Sequence, residues 1–184
     1  MGLRILQGRF RGAPLMAPAD GLLRPTSARR REAVLDIVRA RLGTLDGARV
    51  ADLFAGTGAV GLEALSQGAE HVLFVENDPA AADLLKRNIE ALDARSLTTL
   101  LRNDATRLGA AARPVDVAFL DPPYGRGLTE RALTRLMTGG WLTSDSIVLV
   151  ELGRNEPFAA PPGLTLAREH HHGAGRLLRL SADD

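Results

Sequence analysis

The chain has no cysteine, which excludes disulfides, thiolate metal sites and cysteine nucleophiles. Lysine is nearly absent too: Lys86 stands alone among 23 basic residues, and the other 22 are arginine. Aromatic residues make up 4% of the chain, with one tyrosine, Tyr124, and one tryptophan, Trp141. No apolar run approaches the roughly 18 residues of a membrane span. Met1 to Phe10 lacks the apolar stretch of a secretory signal, and Leu6 stands where a myristoylation signal needs Ser or Thr. A cytoplasmic monomer with no membrane partner is therefore expected. The 184 residues, 45% of them hydrophobic, suffice for one domain and a small extension.

The net charge is +1, but it is unevenly placed. Residues 1–31 carry seven Arg against one Asp, a net +6, and the remainder carries 16 basic against 21 acidic residues, a net −5. That asymmetry suits a basic arm on nucleic acid, although arginine bias alone would also give a basic solvated surface. Residues 3–7 and 13–16 are short extended stretches around Gly8 and Gly12, the pattern of a glycine-containing hairpin. Thr26 or Ser27 suits a helix N-cap, and Val34, Ile37, Val38 and Leu42 recur at helical spacing over 28–42. Arg29, Arg30 and Arg31 open that helix against its dipole, which hints at an anionic ligand. Two parts are expected: a basic arm over 1–25, and a domain over 26–184. Deleting the arm is expected to remove activity on RNA and leave cofactor affinity intact.

From residue 48 strands alternate with helices. Strands are expected at 49–54, 71–76, 98–102, 115–120 and 147–152, with helices at 60–67, 79–92 and 128–137. A terminal hairpin is expected from 164–169 and 176–180 across a turn at 170–175. This rhythm predicts a mostly parallel sheet covered on both faces and closed by an antiparallel hairpin.

Two motifs carry chemistry. In Asp52-Leu53-Phe54-Ala55-Gly56-Thr57-Gly58-Ala59-Val60-Gly61 a strand turns into a helix. Gly56 and Gly58 permit a sharp turn and close approach to a ligand, and free amides follow at the helix start. Glu76, 20 residues on and at the next strand's end, suits a grip on ribose hydroxyls. The pair points to a nucleoside cofactor without separating NAD from S-adenosylmethionine. Asp52 favours the latter, because a carboxylate there would repel a pyrophosphate and attract an ammonium. Its plainer role is to cap nearby backbone amides.

The second motif, Asp121-Pro122-Pro123-Tyr124, follows the fourth strand, where α/β sheets bind ligands. Two prolines remove two donors. The Asp121 carboxylate and the Pro122 carbonyl remain as acceptors, suited to an incoming NH₂, with Tyr124 available to stack on a base. A proline turn closed by a surface tyrosine is the plain alternative. Asp104 and Ala105, after the third strand, could meet an adenine amino group and ring nitrogen, or form an ordinary Asx turn.

The segments DLFAGTGAVGLEALSQGA, Glu76, NDA and DPPY resemble class I methyltransferases that modify exocyclic amines. GRFRGAPL followed by RPTSARRREAV resembles the RsmD family of bacterial 16S rRNA guanine-N2 methyltransferases, over Leu3 to about Leu180. The resemblance implies a Rossmann-like seven-stranded sheet and S-adenosylmethionine as cofactor, held by Asp52, Gly56, Gly58, Glu76, Asp104 and Ala105. It implies that Asp121, Pro122, Pro123 and Tyr124 hold a guanine amine of 16S rRNA, within the small ribosomal subunit or its assembly intermediate. It also implies that Arg9, Arg11, Arg24, Arg29, Arg30 and Arg31 touch RNA phosphates. His170-His171-His172 and the preference for Arg over Lys in the arm depart from the family's pattern. Consecutive residues of an extended segment face opposite ways, so the histidines are read as a polar turn and no metal is expected. Trp141 reads as core or loop anchor. Glu151 suits a site-lining carboxylate or an ordinary strand end, and Arg126 a phosphate contact or a mobile surface group. Rival readings are an adenine-N6 methyltransferase on DNA or RNA, an NAD-dependent oxidoreductase with no role for DPPY, and a non-catalytic RNA-binding module.

Overall fold

The computed structural model describes residues 2–18, 28–172 and 175–183, the side chain of His172 excepted. Arg24, Thr26 and Ser27, named above as phosphate contact and N-cap, lie outside the described residues.

Seven strands form one sheet: β1 Arg49–Leu53, β2 His71–Val75, β3 Thr98–Leu101, β4 Val117–Leu120, β5 Ile147–Gly153, β6 Leu164–His172 and β7 Gly175–Ala182. Their order is β3-β2-β1-β4-β5-β7-β6. The first five are parallel, and β7 runs antiparallel to both β5 and β6. The Rossmann-like class I methyltransferase fold expected from the sequence is therefore present. β1, β2, β4 and β5 are almost wholly buried. This is why they read as unbroken apolar runs between turns, as strands covered on both faces do.

Among the described residues, four helices cover the sheet: α1 Ala28–Leu42, α2 Ala59–Ser66, α3 Pro79–Ala91 and α4 Leu128–Thr138. Side chains alternate along β1, so Val50 joins the layer of α1, α2 and α3, while Ala51 and Leu53 join that of α4. α3 starts where its sequence directs: Asp78 accepts from the Ala81 amide at 2.8 Å, and Pro79 occupies the first turn. In the α4 layer Trp141 is 9% exposed and donates from Nε1 to the Gly109 carbonyl at 2.9 Å.

The arm is a short hairpin, with Arg4 bridged to Pro14 and the Ile5 amide donating to Ala13. It is not a separate body. Ile5 and Leu15 are buried in the same cluster as α1 and α2, each contributing about 1.5–3 kcal/mol. On α2, the buried Glu63 accepts from the Leu6 and Gln7 amides at 2.8 Å each. Ser66 accepts from the Phe10 amide and donates to the Gln7 carbonyl. Gly8 lies so close that a Cβ there would sit 1.8 Å from the Ser66 carbonyl oxygen. On α3, Asn88 accepts from the Met16 amide at 2.7 Å and donates to the carbonyls of Met16 and Thr57. One buried amide therefore joins the arm to the glycine turn. Because the arm completes the core, its deletion takes Ile5 and Leu15 out of the cluster around α1 and α2.

The terminal hairpin also differs from expectation. His170 and His171 pair with Leu177 and Arg176, and His172 pairs with Gly175, so the triplet continues β6 instead of forming a turn. Strand pairing against β7 outweighs the polarity that suggested a turn.

Candidate functional site

The strand order reverses between β1 and β4: from β1 the chain passes to β2 on one side and returns to β4 on the other. Such a switch point leaves a crevice beyond the strands' carboxyl ends. Leu53 and Leu120 are register partners, so the glycine turn after β1 and the tetrapeptide after β4 emerge side by side.

The turn is built from left-handed backbone: φ is 60° at Phe54, 53° at Gly56 and 75° at Gly58. At Gly58 a Cβ would also come within 2.1 Å of Leu85 Cδ1, whereas at Gly56 it would meet nothing within 4 Å. Gly56 thus opens onto free space at the mouth of the crevice. Gly61 packs α2 onto β2, where a Cβ would fall 2.4 Å from the Phe74 ring.

Carboxylates surround the turn. Asp52 is 2% exposed and accepts from the Gly61 amide at 2.9 Å. Burial pushes its carboxyl up to about 8, against the help of that amide, and the charges of Asp121 and Glu76 push it the same way. Glu76 accepts from the Gly56 amide through Oε2 and from the Asp78 amide through Oε1, both at 2.8 Å. It ties the turn to the cap of α3, and each oxygen keeps a further lone pair. Beyond β3, Asp104 caps a short 3₁₀ turn at Ala105–Arg107, accepting from the Thr106 amide and hydroxyl at 2.8 Å. These bonds hold its carboxyl below the usual range. Ala105 is buried beside it.

In the tetrapeptide Asp121 is half-buried, Pro122 buried, Pro123 exposed and Tyr124 43% exposed. The following Gly125 donates its amide to Glu156 Oε1 at 2.8 Å, while Glu156 Oε2 accepts from Gly153 at 3.2 Å. Glu156 thereby staples the tetrapeptide loop to the end of β5. Glu151, in β5, is fully buried, with Oε1 2.7 Å from Arg30 Nη1. Burial raises the Tyr124 phenol, as do Glu151 and Asp121, and Arg30 opposes the shift. Burial likewise raises Glu151, again opposed by Arg30.

The structure thus brings Asp52, Gly56, Gly58, Glu76 and the tetrapeptide to one crevice, with Asp104 and Ala105 two strands away after β3. The arginines divide. Arg9 lies over the Phe10 ring, 4.7 Å from its centre, and Arg9, Arg11 and Arg29 are exposed. Arg30 is engaged at the site. Arg31 is 1% exposed and donates from Nη2 to the Arg4 carbonyl at 2.8 Å, with Nε 3.9 Å from Glu63. Its side chain does not reach the surface, so its reading as a phosphate contact is corrected: it fastens α1 to the arm. Arg126 is exposed. His171 lies 3.2 Å from Glu169. A cavity of about 840 Å³ runs along β3, lined by Thr98, Leu100, Asn103 and side chains of α3. It adjoins Asp104 but lies across β2 and β1 from the tetrapeptide.

Sequence reading passed over Glu156 and left Glu151 open. The signal was their position: both lie at or just beyond the carboxyl end of a strand next to β4.

The family described as Conserved hypothetical protein 95 matches residues 3–180. Ribosomal RNA small subunit methyltransferase D of Escherichia coli is 35% identical over 149 residues, 81% of this chain and 74% of that protein. This chain belongs to the RsmD family of methyltransferases. Within the family, the Haemophilus influenzae protein of the same name is 32% identical over 176 residues, 93% of this chain and 89% of that protein. The solved structure of yhhF from Escherichia coli superposes with a TM-score of 0.85 at 29% identity, covering 99% of this chain and 98% of that one.

Proposed function

We propose that this methyltransferase uses S-adenosylmethionine to methylate the exocyclic N2 of a guanine in 16S rRNA. The observation that carries the reading is the register of β1 against β4, by which the glycine turn and the acceptor tetrapeptide share one crevice. Family membership, and the small-subunit rRNA named for its relatives, supply the acceptor class.

The cofactor brings a methyl group already activated on a positive sulfur. The residues supply placement. Gly56 leaves room for close approach, Asp52 offers a carboxylate to an ammonium, and Glu76 offers lone pairs to ribose hydroxyls, with Asp104 and Ala105 available to adenine. Asp121 and the Pro122 carbonyl accept two hydrogen bonds from the guanine NH₂. Those bonds turn the nitrogen lone pair, otherwise delocalised into the ring, toward the methyl group. Holding two reactants in line supplies most of the acceleration. As N2 gains the methyl it loses a proton, which Asp121 or rim water takes. Arg9, Arg11 and Arg29 present charge to RNA phosphates.

Nucleosides are mapped by mass after incubation with undermethylated small subunits, naked rRNA and DNA. N2-methylguanine in RNA is the expected product. N6-methyladenine would replace the reading with its rival, and no transfer together with RNA binding would favour a non-catalytic module. Calorimetry should detect binding of S-adenosylhomocysteine but not of NAD.

A further inference from the structure

Arg30 reaches the tetrapeptide from outside the sheet. Glu151 lies one step past the register pair of Leu120 and Val150, so it stands beside Asp121 at the same edge. Its carboxylate is wholly buried and held at 2.7 Å by a guanidinium from the first turn of α1. Burying an ion pair disfavours both charges, and apolar residues would pack such a place at least as well. Leu152, next in the strand, does so at 1% exposure. The pair therefore calls for a role beyond packing, and Tyr124 supplies one. Tyr124 packs at the same end of β5, two residues on from Glu151. The ring edge rests near Gly153, where a Cβ would be 3.7 Å from Tyr124 Cδ2. A planar guanidinium holds two partners at a set angle, as an ammonium does not. Tyr124 is 43% exposed and stands within reach of the Arg30 charge, which lowers its phenol.

We propose that Arg30 and Glu151 are positioning residues for the acceptor pocket. Glu151 fixes the Arg30 guanidinium, and the guanidinium fixes the Tyr124 hydroxyl, so the ring stands as a preset wall against which the target base stacks. The proposal rests on reading the tetrapeptide as the amine-holding site. It removes Arg30 from the set of phosphate contacts and gives the helix that follows the basic arm a direct link to the reacting edge.

Tyr124 is the chain's one tyrosine, so ultraviolet titration of its phenol reads this contact directly. The charged groups acting on it are Glu151 and Asp121, which raise its midpoint, and Arg30, which lowers it. Glu151→Gln should lower the midpoint and Arg30→Gln should raise it. In single-turnover methylation Arg30→Gln should slow transfer roughly 10–100-fold, Arg30→Lys less, with S-adenosylhomocysteine affinity within about twofold of wild type. In a Tyr124→Phe background Arg30→Gln should cause no further loss, since the contact is already gone. The proposal is overturned if the titration is the same in both charge variants, or if the Arg30→Gln and Tyr124→Phe losses multiply. Should Glu151→Gln fail to fold, the Arg30 variants and the Tyr124→Phe cycle decide alone. A wild-type protein that methylates no nucleic acid would instead refute the acceptor reading, while the phenol titration would still test the tether.

Discussion

Asp52, Glu76 and Asp121 converge on one crevice, and burial keeps a proton on Asp52 up to about pH 8. In the unfolded chain the same group releases it near pH 4. Between those values the folded state binds the extra proton, so stability falls as pH rises through the window. The unfolding midpoint of the cofactor-free protein should therefore drop from pH 5 to pH 8, and Asp52→Asn should flatten that slope; thermal melts across the range check it. A cation bound beside Asp52 favours the charged form, so S-adenosylhomocysteine, through its ammonium, should release a proton on binding at pH 7. Calorimetry in two buffers of different ionisation heat measures this. At Asp121 the expectation is kinetic. Asp121→Ala removes one of two acceptors for the incoming amine and should lower single-turnover transfer at least about 100-fold, leaving S-adenosylhomocysteine affinity unchanged.

At the scale of elements, α3 carries more than its own turns. Asn88→Ala would strip partners from the Met16 amide and from the Met16 and Thr57 carbonyls. A buried group left unpaired costs about 1–3 kcal/mol, and because only the Thr57 bond is fully buried while the two Met16 bonds are half-buried, urea unfolding should show a loss of roughly 2–4 kcal/mol. The strands, the helices and the two motifs were legible because buried parallel strands are unbroken apolar runs and glycine or proline punctuates them. The arm's attachment was not. Its partners Glu63, Ser66 and Asn88 stand 56 to 72 residues away in sequence, beyond any periodicity. Arg31 shows the same limit. Its place in a basic run suggested a surface contact, but the fold turns that side of α1 inward toward Glu63. The histidine triplet was misread because polarity was weighed and strand pairing was not visible.

For the molecule as a whole, the arm is both part of the core and a carrier of exposed charge, and two experiments separate these roles. Removing residues 2–18 takes Ile5 and Leu15 from the core and should lower the melting temperature by roughly 10 °C or more. Replacing Arg9, Arg11 and Arg29 with Gln leaves the core intact. It should reduce the slope of log affinity for RNA against log salt by about two. A slope equal to wild type would remove these arginines from the interface. Trp141, bonded to Gly109 in the α4 layer, is the chain's one indole, and it belongs to a different part of the molecule from the phenol at the acceptor pocket. Each chromophore thus reports on its own region without labels. Emission that holds steady while phenol absorbance shifts signals a disturbed pocket in an intact protein, and a joint change signals unfolding.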